Sequence, residues 1–178
     1  MREILFRGKR INNGAWVEGS FLSDGEAHRP VDKEHISFSK CYIVPETDRE
    51  NIKTIFNDGS YYLQTVGYHV IPETVGQFTG LTDKNGKKIF EGDILRAKVY
   101  EVAEEDSEVW GKHKIRTGNK IDAAWTVEYK NYNASCGYFI FGKDRRFHRL
   151  LTYSVIFNNK CEVIGNIHDN PELLGGAE

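Results

Sequence analysis

Short runs of apolar and β-branched residues, separated by Gly, Asn and Asp, dominate the pattern of this chain and favour β-strands. Near the amino terminus, residues 3–7 and 15–22 flank the pair Asn13-Gly14. This pair accepts the positive φ angles of a type I′ turn, so we predict a first hairpin here. A second such pair, Asn85-Gly86, precedes a strand that we predict at residues 94–100.

Further strands are predicted where aromatic and β-branched residues concentrate. They cover residues 36–44, 61–70, 125–129, 137–142 and 161–168. Residues 150–156 fit either a strand or a short helix. Residues 101–122 mix acidic and basic side chains with few apolar ones, so we expect a long exposed excursion there. Asn170 before Pro171 predicts a closing helical turn.

Composition supports a mainly β fold with few short helices. The chain has 178 residues, which suits one domain, or a barrel-sized domain with a smaller companion. Its 17 glycines and its aromatic share of 12% favour tight turns and strands. The net charge of -2 provides no global attraction to a polyanion, although a local patch can still bind one.

The cysteines and the lengths of the apolar runs indicate the cellular compartment. Cys41, Cys136 and Cys161 form no CxxC pair, so there is no zinc-ribbon or thioredoxin signature. The first ten residues lack the apolar segment of a signal peptide, and no apolar run approaches the length of a membrane span. We therefore expect a cytoplasmic protein in a reducing environment.

No catalytic constellation emerges from the motifs. The glycines between residues 76 and 92 fit neither GxxxxGK[ST] nor GxGxxG before a helix, so turns are the simpler interpretation. Glu91 and Asp93 lack a His or Cys at ligand spacing, and neither Cys136 nor Cys161 has an identifiable His partner. We predict no catalytic residue, metal or cofactor. A hydrolase or metal enzyme built on Glu91, Asp93 and a histidine is the least favoured alternative.

Two features are candidates for binding. The densest basic run contains Lys143, Arg145, Arg146, Phe147 and Arg149. Basic side chains neutralise phosphates and rings stack on bases, so this run is a candidate nucleic-acid patch; a solvated turn beside core aromatics is the alternative. Trp110 lies in the charged excursion, where it either anchors a partner or folds back on the protein.

Three blocks of the chain resemble the YopX-like family of phage and prophage proteins. They are residues 4–19, residues 70–95 with VIPETVGQFTGLTDKNGKKIFEGDIL, and residues 162–174 with EVIGNIHDNPELL. The resemblance implies a mainly β fold with an SH3-like barrel part, and homo-oligomers. It implies no activity or cofactor, since the family has none established.

These observations predict a β-rich portion at residues 1–70 and an SH3-like barrel portion at 71–178, with a variable insertion at about 101–123. The two portions are either separate or packed as one unit. We expect a non-enzymatic accessory protein that acts by binding, through self-association or contact with another protein. The alternative is a nucleic-acid-binding small barrel that uses residues 143–149.

Overall fold

The computed structural model describes residues 4–23, 41–45, 53–57, 60–64, 67–107, 111–132, 135–142 and 148–174. The chain divides into two compact units, Met1–Gly80 and Leu81–Glu178. Among the described residues there are thirteen strands and one α-helix. The prediction of a mainly β fold with few short helices is therefore confirmed.

The first unit holds most of one antiparallel sheet and a separate hairpin. Its strands are β1 (Phe6–Lys9), β2 (Trp16–Ser23), β3 (Cys41–Val44), β4 (Lys53–Asn57), β5 (Ser60–Gln64), β6 (Tyr68–Val70) and β7 (Gly76–Thr82), with a 3-10 turn at Pro72–Thr74. The order in the sheet is β6-β3-β2-β1-β7-β8, where β8 (Lys88–Phe90) follows β7 along the chain, and β4 pairs only with β5 among the described strands. The single run predicted at 61–70 thus yields β5 and β6.

This sheet curls around a small apolar core. Arg10 forms a β-bridge with Val70, and the N–H of Ile11 donates to the carbonyl of His69 at 3.0 Å, which brings the end of β1 back to β6. Alternate residues then face inward, because side chains alternate between the two faces of a strand. The core residues are Cys41, Ile43 and Val70, packed by Phe6, Val17, Phe21 and Val75.

The first hairpin is present, but its turn is wider than predicted. The N–H of Arg10 donates to the carbonyl of Ala15, and the N–H of Gly14 donates to the carbonyl of Arg10, both at 2.9 Å. Gly14 has φ of 68°, whereas Lys160 is the one non-glycine residue with positive φ in the described ranges. A type I′ turn needs positive φ at both central residues, so that turn type is wrong here.

The second unit contains a five-stranded antiparallel sheet in the order β12-β11-β10-β9-β13. Its elements are β9 (Asp93–Ser107), β10 (Gly111–Tyr132), β11 (Ser135–Phe141), β12 (His148–Leu150), α1 (Tyr153–Asn158) and β13 (Glu162–Asn166), followed by a 3-10 turn at Pro171–Leu174. Among the described strands no pairing joins β12 to β13, so the sheet is not closed into a barrel.

One face of this sheet carries the main core of the unit. Register puts Leu95 opposite Trp125, and Val127 opposite Ile140, so these side chains share that face. Ile156 of α1 covers it from above. Among the residues whose side chains the structure describes, the buried cluster is Ile89, Leu95, Ala97, Trp125, Val127, Tyr138, Ile140, Leu151, Ile156, Cys161 and Val163.

The segment expected to be an excursion is a long two-stranded extension of the sheet. β9 and β10 pair from Thr126 and Ile94 out to Gly111 and Ser107, with a register shift between Arg116 and Lys120. By contrast, β11 pairs with β10 only over 126–132, and β13 pairs with β9 only over 93–96. The outer parts of these strands were not predicted because polar residues dominate residues 101–122 and leave no apolar alternation that marks a strand.

The ambiguous stretch at 150–156 resolves into the end of β12 and the start of α1. Thr152 has an extended backbone, and its side-chain oxygen accepts a hydrogen bond from the N–H of Val155 at 3.3 Å. A threonine in this position satisfies a donor that the first helical turn leaves open, so it starts the helix. Only Ile156 of α1 is fully buried, which leaves most of the helix surface in solvent.

Candidate binding surfaces

The predicted basic patch is described only at its end. Lys143, Arg145, Arg146 and Phe147 lie outside the described residues, as does Trp110. Arg149 lies in β12 opposite Ile140 and is exposed. The patch and the Trp110 anchor therefore stay predictions.

The middle block that carries the family resemblance is built around a buried carboxylate. Asp83 is 5% exposed, and its Oδ1 accepts hydrogen bonds from the N–H of Asn85 at 2.8 Å and of Lys87 at 2.9 Å. Its Oδ2 accepts from the N–H of Val163 in β13 at 3.0 Å. Asp83 thus holds its own turn and attaches that turn to the last strand, which is a structural role.

Glu91 and Asp93 also bind the backbone. Asp93 is buried, and its Oδ2 accepts from the N–H of Phe90 at 2.8 Å. Glu91 Oε1 accepts from the N–H of Tyr129 at 3.1 Å. Between them Gly92 has φ of 81°, which side-chain-bearing residues rarely adopt, so the pair shapes a tight turn. Within the described ranges no three His, Cys, Asp or Glu side chains are grouped to hold a metal ion.

The cysteines differ in environment. Cys161 is buried, and burial raises the pKa of its thiol to about 11, with the charge of Asp83 adding to the effect. Cys136 is exposed. The pKa of the Tyr129 phenol is raised by the charge of Cys136 and by their hydrogen bond. Cys161 therefore behaves as a small apolar residue of the core, and Cys136 is the accessible thiol.

Two aromatic rings on α1 form an exposed apolar surface, and we call it the α1 patch: Tyr153 and Phe157. Tyr153 is 73% exposed and Phe157 is 72% exposed. Leu150 is also exposed, but it pairs with Phe139 on the face of the sheet that α1 does not cover. The two rings are four residues apart on the helix and lie nearly parallel, with centroids 6.4 Å apart and an interplanar angle of 14°. Sequence reasoning missed this patch, although two aromatics at i and i+4 beside one buried isoleucine carry the signal.

A second surface lies on the outer side of the first sheet, and we call it the Trp16 face: Arg7, Lys9, Trp16, Tyr42 and His69. The Arg7 guanidinium lies 4.9 Å from the centroid of the Trp16 ring, and Lys9 Nζ lies 5.9 Å from it. Both distances are within the range of a cation–π contact. Tyr42 and His69 stack with centroids 5.1 Å apart. The period-two alternation of Arg7 and Lys9 with Phe6 and Gly8 was the available signal.

No helix in the described ranges is both long enough and apolar enough to cross a membrane.

The fold defines a mainly β protein of two units that carries an aromatic surface on one unit and a basic and aromatic surface on the other. The family model for "YopX protein" matches residues 6–175, so the chain belongs to the YopX family. A search of curated proteins found no match. Among solved structures, the chain resembles "protein EF1440 from Enterococcus faecalis", at 21% identity and a TM-score of 0.52, covering 98% of this chain and 99% of that one. At this identity the likeness concerns the fold alone.

Proposed function

We propose that this chain acts by binding, and that it binds a second copy of itself through the α1 patch. The observation that carries the proposal is the exposure of two neighbouring aromatic rings, Tyr153 at 73% and Phe157 at 72%. Large rings are the side chains most enriched at protein interfaces, because they bury much area with few rotatable bonds.

The area of the patch supports a weak, concentration-dependent dimer. A fully buried aromatic side chain covers about 150–250 Å², so the exposed parts of Tyr153 and Phe157 amount to about 220–360 Å². A two-fold contact that buries both rings on both copies removes about 440–720 Å² from water before its rim is counted. Stable interfaces bury about 1,200–2,000 Å², so the expected affinity is in the micromolar range or weaker.

The shape of the patch suits a symmetric contact. In a two-fold dimer the same surface meets itself, and parallel rings allow offset stacking across the axis. Ser154 and Asn158 are exposed beside the rings and supply a polar rim. Apolar surface surrounded by polar residues is typical of an interaction site.

The proposal also includes the topology of the second unit, the origin and location of the protein, and its lack of enzymatic activity. The second unit is proposed to be SH3-like in topology, supported by β13 pairing with β9 while α1 separates β12 from β13. A phage or prophage origin is proposed from the resemblance of the three sequence blocks. A cytoplasmic setting is proposed because Cys41, Cys136 and Cys161 are all free, as expected in a reducing compartment. The protein is proposed to be a non-enzymatic accessory factor. Its candidate acidic residues, Asp83, Glu91 and Asp93, accept hydrogen bonds from backbone N–H groups, which supports a structural role for them.

Sedimentation velocity between about 5 and 500 µM tests the proposal. The wild-type sedimentation coefficient is expected to rise with concentration, and Phe157→Ser is expected to hold the protein monomeric over the same range. Ile11→Ser is the matched control, since Ile11 is another exposed apolar residue but lies in the first unit. A wild-type monomer at every concentration, or a dimer that Phe157→Ser leaves intact, refutes the assignment.

A further inference from the structure

The outer side of the first sheet carries basic and aromatic side chains in one continuous row. Lys9 lies opposite Trp16 in the pairing of β1 with β2, and Tyr42 lies opposite His69 in the pairing of β3 with β6. Residues directly opposite each other in antiparallel strands share a face. These are two cross-strand pairs, one basic with aromatic and one aromatic with imidazole.

The curl of the sheet joins the two pairs. The N–H of Ile71 donates to the carbonyl of Lys9 at 2.8 Å, and the N–H of Ile11 donates to the carbonyl of His69 at 3.0 Å. This register puts Lys9 opposite Ile71, and His69 diagonally beside Lys9. Diagonal neighbours lie about 7–8 Å apart, so the row runs without a break from Trp16 through Lys9 and His69 to Tyr42.

The side chains of the row are positioned by contacts rather than hanging free. Arg7 and Lys9 both lie over the Trp16 indole, and the Tyr42 and His69 rings are stacked with an interplanar angle of 27°. Such contacts fix where the charges and the ring faces lie, which lowers the entropy lost when a ligand binds. His69 is exposed and Trp16 is partly exposed, so the row is accessible to solvent.

We infer that the Trp16 face binds single-stranded nucleic acid, with Arg7 and Lys9 on phosphates and His69, backed by Tyr42, as a stacking platform for a base. Single strands are bound by a positively charged track combined with rings on which bases stack, and this face has both. Glu18 lies opposite Arg7 and is exposed, so it weakens the attraction without reversing it. The inference does not rest on the α1 patch, which belongs to the other unit.

Fluorescence anisotropy with a labelled oligothymidine of about 12 nucleotides, read at several salt concentrations, tests the inference. Each phosphate contact to a single strand contributes about −0.7 to the slope of log K against log salt. Lys9→Gln is therefore expected to make that slope shallower by about 0.7. Lys87→Gln, an exposed lysine on the turn of the second unit, is the matched control and should leave it unchanged.

Two further variants separate binding from misfolding and from general attraction to polyanions. Glu18→Gln is expected to tighten binding several-fold at low salt, a gain that a damaged fold does not produce. His69→Ala is expected to weaken oligothymidine binding about tenfold, within the range for one lost stacked base, while leaving heparin binding unchanged. The inference is overturned by an undetectable wild-type complex at 50 mM salt, by a slope that Lys9→Gln does not change, or by equal effects of His69→Ala on heparin and oligonucleotide.

Discussion

Replacing Asp83 by alanine removes the group that attaches the middle block to the last strand. Its carboxylate accepts from two N–H groups of its own turn, Asn85 and Lys87, and from the buried N–H of Val163. Leaving a buried donor unsatisfied costs about 1–3 kcal/mol. The turn donors can reach water, so each is expected to lose about 0.5–1.5 kcal/mol. Together these contributions give a destabilisation of about 2–6 kcal/mol for Asp83→Ala.

Urea unfolding followed by circular dichroism measures this change. We expect a lower midpoint with an unchanged m value, and a thermal midpoint about 10 °C lower, since a domain of this size shifts about 2–4 °C per kcal/mol. Asp83→Asn is expected to lose about half as much, because the amide keeps one acceptor oxygen. Asp122→Ala is the control: Asp122 is an exposed aspartate of the same unit and should change stability by less than about 0.5 kcal/mol. An Asp83→Ala protein within about 0.5 kcal/mol of wild type refutes this account.

Three further predictions follow from local geometry. The Lys84 ammonium lies 2.7 Å from Glu162 Oε2 and lowers the pKa of Glu162 by hydrogen bond and charge, so Lys84→Gln should raise that pKa in an NMR titration while Lys87→Gln should not. At pH 8 a thiol reagent should label the exposed Cys136 of the native protein, and rapid labelling of the buried Cys161 would contradict this. Burial raises the pKa of Cys161 from 9.0 to about 11. The contribution of the buried Cys161 thiol to stability is therefore full below about pH 9 and falls as pH rises toward 11. Gly19→Ala should destabilise the protein more than Gly86→Ala in urea unfolding, because a Cβ at Gly19 would clash with the carbonyl of Val44. A Cβ at Gly86 would meet nothing within 4 Å, so Gly86→Ala costs only the strain of its φ of 83°, about 1–2 kcal/mol. Equal losses of stability would refute the steric argument.

The parts of the fold that local chemistry determines were predictable. The first hairpin could be predicted because Gly14 accepts the positive φ of its turn, although the turn type was wrong, and the closing turn could be predicted because Pro171 suits the first position of a helical turn. The choice between strand and helix at residues 150–156 depended on two features. Thr152 caps the first turn of α1, and Ile156 packs into the core. The local cap and the tertiary contact stabilise the helix together, and only the cap could be found in the sequence.

The parts that lack an apolar pattern, or that depend on distant pairing, were not predictable from one sequence. The extension of β9 and β10 through residues 101–122 has few apolar residues, so no periodicity marked it. The Trp16 face required the register of β1 against β6, which the Arg10–Val70 bridge sets across sixty positions of sequence, from 10 to 70. The role of Asp83 likewise required knowing that β13 returns beside its turn.

A dilution series of two-dimensional amide NMR spectra tests the central claim, self-association through the α1 patch, most directly. As concentration falls from about 500 to 20 µM, the account predicts amide shift changes confined mainly to residues 153–158 of α1. Spectra that do not change with concentration, or changes centred on the first unit, would contradict it.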